Sequence, residues 1–119
     1  SNRGKIYLNL DLKNKKCEPC SGNTPKFKPV EISMYLSKLD DWSVNDEQEM
    51  IFKKFKFKNF NKALNFTNLI GEIAETERHH PDISLGWSYC LVMIHTHAIK
   101  GLSINDFILA SKIDLLSIK

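Results

Sequence analysis

A single amphipathic stretch runs from Asn59 to His80 and then meets Pro81. Phe60, Ala63, Leu64, Phe66, Leu69, Ile70, Ile73 and Ala74 crowd one side of a 3.6-residue repeat, which predicts a long helix with one apolar face. A proline disfavours helical geometry in the residue before it, so this helix must stop near His80. A helix apolar on one side needs a surface to lie on, and the segments on either side of it read as strands.

Upstream, "DWSVNDEQEMIFKKFKF" predicts a short strand near Trp42 to Val44, a polar turn, and a longer strand from Glu49 to Phe57. Met50 and Phe52 share one parity and Phe55 and Phe57 the other, so a bulge is expected at Lys53 and Lys54. Downstream, "DISLGWSYCLVMIHTH" predicts a second strand pair turning around Gly86 to Ser88. Pro29 suits the first turn of a short helix carrying Ile32, Tyr35, Leu36 and Leu39. The chain closes with a helix capped by Ser103, its stripe formed by Ile104, Phe107, Ile108, Leu115 and Ile118. The order helix, two strands, helix, two strands, helix predicts an α+β fold with helices on one face of a small antiparallel sheet. Residues 1–28 are polar and broken by Pro19, Gly22 and Pro25, and are expected to form an irregular lead-in without core residues. Residues 29–119 are expected to form a single domain.

No apolar run approaches a membrane span, the longest being Tyr89 to Ile94, and the first residues lack an apolar stretch of signal-peptide length. Cys17, Cys20 and Cys90 cannot all pair, which favours a reducing, cytoplasmic setting. The net charge of +3, from 17 basic and 14 acidic residues spread through the chain, does not imply nucleic acid. Two hairpins leave edge strands, and pairing with a second copy would cover one.

The chemistry gathers around the four histidines. A hairpin that leaves Pro81 and returns brings His97 back toward His79 and His80. On the returning strand Cys90, Val92, Ile94 and Thr96 share one face, and Tyr89, Leu91, Met93, His95 and His97 the other. Imidazoles donate and accept protons near neutral pH, so converging histidines suit proton transfer. The plainer readings are a solvated helix end for His79 and His80, and exposed strand positions for His95 and His97. Asp106, three residues after Ser103, fits a capping acid, and Glu75 either orients His79 or faces water. Cys17 and Cys20 form a lone C-x-x-C without a second half-site for zinc. Lys53, Lys54, Lys56 and Lys58 read as a protected edge rather than a nucleic-acid platform.

These residues together resemble the pterin-4a-carbinolamine dehydratase family. Its pattern reads here as Glu75, three residues, His79-His80-Pro81, five residues, Trp87, nine residues, His97, eight residues and Asp106. The stretches "KKCEPCSG", "FKFKNFNKALNF" and "THAIKGLSINDFILASKID" are similar to bacterial-type members, so the likeness covers roughly residues 15 to 116. The resemblance implies a four-stranded antiparallel sheet with three helices on one face, a homodimer or homotetramer, and dehydration of 4a-hydroxytetrahydropterin to quinonoid dihydropterin. That reaction recycles the pterin of aromatic amino acid hydroxylases. It implies His79, His80 and His97 as active-site histidines: His79 and His97 the acid/base pair, His80 orienting the pterin, and Pro81 fixing the loop beneath them. Trp87 is expected beside the pterin or in the wall, Asp106 holding Thr96 or a backbone group, and Glu75 tuning His79. No metal or other cofactor is expected, and no direct contact with nucleic acid or membrane. Two further readings stand beside this one. One is a noncatalytic dimerisation or coactivator-type module, since animal relatives stabilise dimers of a homeodomain transcription factor. The other is a zinc protein using Cys17, Cys20 and histidines.

Overall fold

The fold is that of a computed structural model describing residues 11–116. Helix α1 (Pro29–Leu36) leads into strands β1 (Ser43–Val44) and β2 (Ile51–Lys56), the long helix α2 (Phe60–Glu77), strands β3 (Asp82–Gly86) and β4 (Tyr89–Ile94), a 3₁₀ turn (His97–Ile99) and helix α3 (Ile104–Leu116). The strands form one sheet in the order β1-β2-β4-β3, antiparallel throughout. The α+β architecture is therefore as the sequence predicts, with the two hairpins joined through β2 and β4.

One face of the sheet carries the core. Cys90, Val92 and Ile94 of β4 are fully buried against Ala63, Phe66, Ile70 and Ala74 of α2 and Phe107, Leu109 and Ile113 of α3. The buried positions of α2 are narrower than its apolar count: Phe60 and Leu69 lie at the margin and are exposed. Helix α3 is buried on nearly every side, from Asn105 to Ser111, rather than along one stripe. Its expected stripe residue Ile118 lies outside the described residues. The other face of β4, with Tyr89, Leu91, Met93 and His95, is only half-buried.

The expected bulge is absent. From Ile51 opposite Ile94 to Lys56 opposite Tyr89 the pairing of β2 with β4 is unbroken. Ile51 and Phe55 point into the core, and Lys53 shares their face. Its ammonium lies 2.8 Å from the buried Asp114 carboxylate, which also accepts from the Trp42 indole at 3.0 Å. A lysine on the core face is thus satisfied by an ion pair, and it disguises a regular strand as a broken one. Burial pushes the Asp114 carboxyl above its ordinary range, against the pull of Lys53.

The lead-in contributes more than expected. Residues 11–13 are helical and Leu12 is 2% exposed within the core. This adds a fourth helical segment to the three expected. Farther along, the Cys17 N–H donates to Glu77 Oε1 at 2.9 Å, and Glu77 also takes the Lys112 ammonium at 2.5 Å. Asn105 accepts from the Glu18 N–H and donates to the Glu18 carbonyl, at 3.0 and 2.6 Å. The C-x-x-C stretch is therefore a strap latched to α2 and α3. Burial would raise the Glu77 carboxyl, but Lys112 and the Cys17 N–H outweigh it and lower it below the usual glutamate range. A depressed folded value stabilises the fold above the unfolded glutamate pKa of about 4.3, and that contribution is lost as pH falls through the folded value. Glu77→Gln is accordingly expected to lower the urea midpoint at pH 7 and to narrow the difference from wild type on acidification toward pH 3. Comparing the two proteins isolates Glu77 from Asp114, whose raised value has the opposite sign.

Candidate active site

Helix α2 ends at Arg78, which adopts the left-handed conformation at φ 56°. The N–H groups of Arg78 and His79 both fold back to the Ala74 carbonyl, a Schellman-type closure normally given to glycine. This turn sends the adjacent histidines opposite ways. His79 is buried at 9% exposure, and His80 stands on the surface.

Their partners differ accordingly. Asp106, fully buried in the first turn of α3, accepts from His79 Nε2 at 2.6 Å, the Thr96 hydroxyl at 2.8 Å and the Ser103 N–H at 2.9 Å. Thr96 Oγ1 also lies 2.8 Å from Ser103 Oγ. The expected hold on Thr96 and a backbone group is present, and so is a link to His79. Asp106 does cap, but its second oxygen fixes an imidazole. Glu75 meets His80 rather than His79, at 2.5 Å, between side chains 79% and 59% exposed. Such a pair contributes little to stability, so Glu75→Ala is expected to shift thermal unfolding by no more than about 0.5 kcal/mol equivalent, measured by calorimetry.

The returning strand carries His95 and His97 to the same place. His95 Nε2 lies 3.3 Å from Asp82 Oδ2, and the His95 and His97 rings sit with centroids 4.0 Å apart. Thr96 between them points inward at 1% exposure, and its N–H bonds the Gly101 carbonyl at 2.9 Å, fixing the loop. A cavity of about 200 Å³ is lined by Cys20, Arg78 and Ala98 together with Thr96 and all four histidines. A larger cavity of about 270 Å³ lies along the strap at Cys17, Glu77 and Arg78 and includes no histidine.

His79, His80, Thr96 and His97 therefore meet at one concavity, with Asp106 beneath it and Glu75 at its rim. Pro81 follows as a trans residue leading into β3. Trp87 does not join them: it is 68% exposed in the β3–β4 turn, at the end of the hairpin away from His97. Cys20, Arg78 and His95 line the cavity without being among the site residues that the resemblance implies. For His95 the signal was its shared face with His97. For Cys20 and Arg78 it lay in the strap and the helix turn, which periodicity does not report. Among the described residues, the one cluster whose side chains converge well enough to hold a metal is Asp82, His95 and His97. Neither Cys17 nor Cys20 belongs to it. Burial and the Glu77 carboxylate push the Cys17 thiol up to about 12.

The chain belongs to the pterin 4 alpha carbinolamine dehydratase family, whose model matches residues 25–116. A relative from Halorhodospira halophila (strain DSM 244 / SL1) is 45% identical over 107 residues, covering 90% of this chain and 98% of its own. One from Rickettsia canadensis (strain McKiel) is 50% identical over 104 residues, covering 87% and 94%. Both bear the name pterin-4-alpha-carbinolamine dehydratase provisionally. Among solved structures, a transcriptional coactivator/pterin dehydratase from Brucella melitensis is similar at a TM-score of 0.74 and 29% identity, over 77% of this chain and 98% of that one. A pterin dehydratase-like RuBisCO assembly factor of the alpha-carboxysome shares the fold at a TM-score of 0.57 and 20% identity, over 66% and 90%. No helix among the described residues is long and apolar enough to cross a membrane.

Proposed function

We propose that this protein removes water from 4a-hydroxytetrahydropterin to give quinonoid dihydropterin, returning the pterin cofactor of aromatic amino acid hydroxylases to use. The observation that carries this reading is the convergence of His79, His80 and His97 on one cavity, with a buried carboxylate behind His79. Dehydration requires a proton delivered to the departing C4a hydroxyl and a proton taken from a ring nitrogen. Both are steps for imidazoles and neither moves an electron.

In this reading His79 and His97 exchange the protons, and His80 orients the pterin at the rim. Asp106 holds the Nε2 side of His79 and so fixes its ring, which leaves Nδ1 as the nitrogen to exchange a proton in this reading. Thr96 and Ser103 hold Asp106 in turn. Three free cysteines accord with a cytoplasmic location. Exposed Val30 and Met34 on α1 and the outer edge of β3 accord with assembly into a homodimer or homotetramer.

The test is the rate of quinonoid dihydropterin formation, followed spectrophotometrically, from 4a-hydroxytetrahydropterin generated in place. Acceleration by wild-type protein supports the dehydratase. No acceleration by folded protein sinks it and turns attention to a binding role, as in a noncatalytic dimerisation module.

A further inference from the structure

We propose that Asp82, His95 and His97 form a binding site for a first-row divalent ion of the zinc type, and that filling it takes His97 out of the pterin pocket. The first half stands on geometry alone, and the second rests on the dehydratase reading. One ligand atom from each of the three side chains lies within 4.8 Å of the others. The His95 to Asp82 distance, 3.3 Å, already equals the edge of a tetrahedron drawn with metal bonds of about 2.0–2.1 Å. The remaining separations, at most 4.8 Å, need to close by no more than about 1.5 Å, a change within reach of side-chain rotation.

The frame for these ligands is rigid. Asp82 pairs with Met93 across the β3–β4 ladder, which places His95, two residues on, at the diagonal position of the same face. His97 follows on a turn fixed by the Thr96 N–H to Gly101 bond and by the Thr96 hydroxyl on Asp106. Two imidazoles and one carboxylate select a borderline ion such as Zn²⁺ or Co²⁺ over Ca²⁺ or Mg²⁺, which take oxygen donors. Three protein ligands leave at least one position for water. An ion bound to His97 also occupies the imidazole lone pair that proton transfer would need.

Co²⁺ titration of tag-free protein, followed by visible absorption and calorimetry, tests the site without reference to activity. The expected result is one saturable ion per chain with weak visible bands, displaced by Zn²⁺. Affinity should fall tenfold or more in both Asp82→Asn and His95→Gln and stay unchanged in Cys17→Ser and Cys20→Ser. No saturable binding, unchanged affinity in the Asp82 and His95 variants, or strong thiolate charge-transfer absorption would each overturn the site. For the second half, Zn²⁺ should inhibit the wild-type dehydratase, and Asp82→Asn should keep its zinc-free rate while needing at least tenfold more Zn²⁺ for half inhibition. Zinc bound at the site without inhibition would overturn the link to His97. Metal-free protein without dehydratase activity would instead mark failure of the functional reading, leaving the Co²⁺ result to stand by itself.

Discussion

His97→Ala is expected to lower kcat/KM for dehydration by about 10²–10⁴-fold, the usual loss when a positioned proton donor or acceptor is removed. His97 gives the cleaner test of the two histidines proposed to exchange protons because its side chain is exposed. Its replacement should leave thermal stability within about 0.5 kcal/mol of wild type, so lost activity cannot be put down to lost folding. Partial recovery of rate on adding imidazole would tie the loss to the missing ring. A variant retaining more than about a tenth of the wild-type kcat/KM would remove His97 from the mechanism.

Asp106→Ala carries the largest expected effect on stability. The substitution leaves the buried Ser103 N–H and the His79 ring without their acceptor and takes one bond from Thr96. Orphaned buried donors cost about 1–3 kcal/mol each, which gives a loss of about 3 kcal/mol and a melting temperature lower by roughly 10 °C. Asp106→Asn keeps one acceptor oxygen and should lose less. Urea unfolding of the three proteins decides the matter: a loss below about 1 kcal/mol in Asp106→Ala would mean that the network contributes little to the fold. Activity of Asp106→Asn, measured below its melting range, then reads how far His79 depends on being held.

Most of the fold was legible because hydrophobic periodicity reports burial. The alternation of β4 sorted Cys90, Val92, Ile94 and Thr96 to the core face, and all four are buried. The errors fall where a charged residue is buried with a partner distant in sequence. Lys53 looked like a break in β2 because Asp114, its counterion, lies 61 residues away. Glu77 has no part in the pattern read from sequence, because its partners Cys17 and Lys112 lie 60 and 35 residues away. Periodicity treats every charge as outward, and only the tertiary pairing reverses that. The site shows the same division. The His79-His80-Pro81 and His97 positions follow from motif spacing, but nothing local says that Asp106 bonds His79 while Glu75 bonds His80. The left-handed turn at Arg78 decides it, since it points one imidazole inward and the next outward. Trp87 lies at the far tip of the hairpin, because strand β4 runs between it and His97.

The latch of Cys17 on Glu77 brings Cys20 to the cavity wall from a part of the chain that precedes residue 25, where the family model's match begins. The histidines and their buried carboxylate lie within the residues that the family model matches, and Cys20 lies before them. A change in the strap can therefore alter the cavity wall at Cys20 while His79, His97 and Asp106 keep their places.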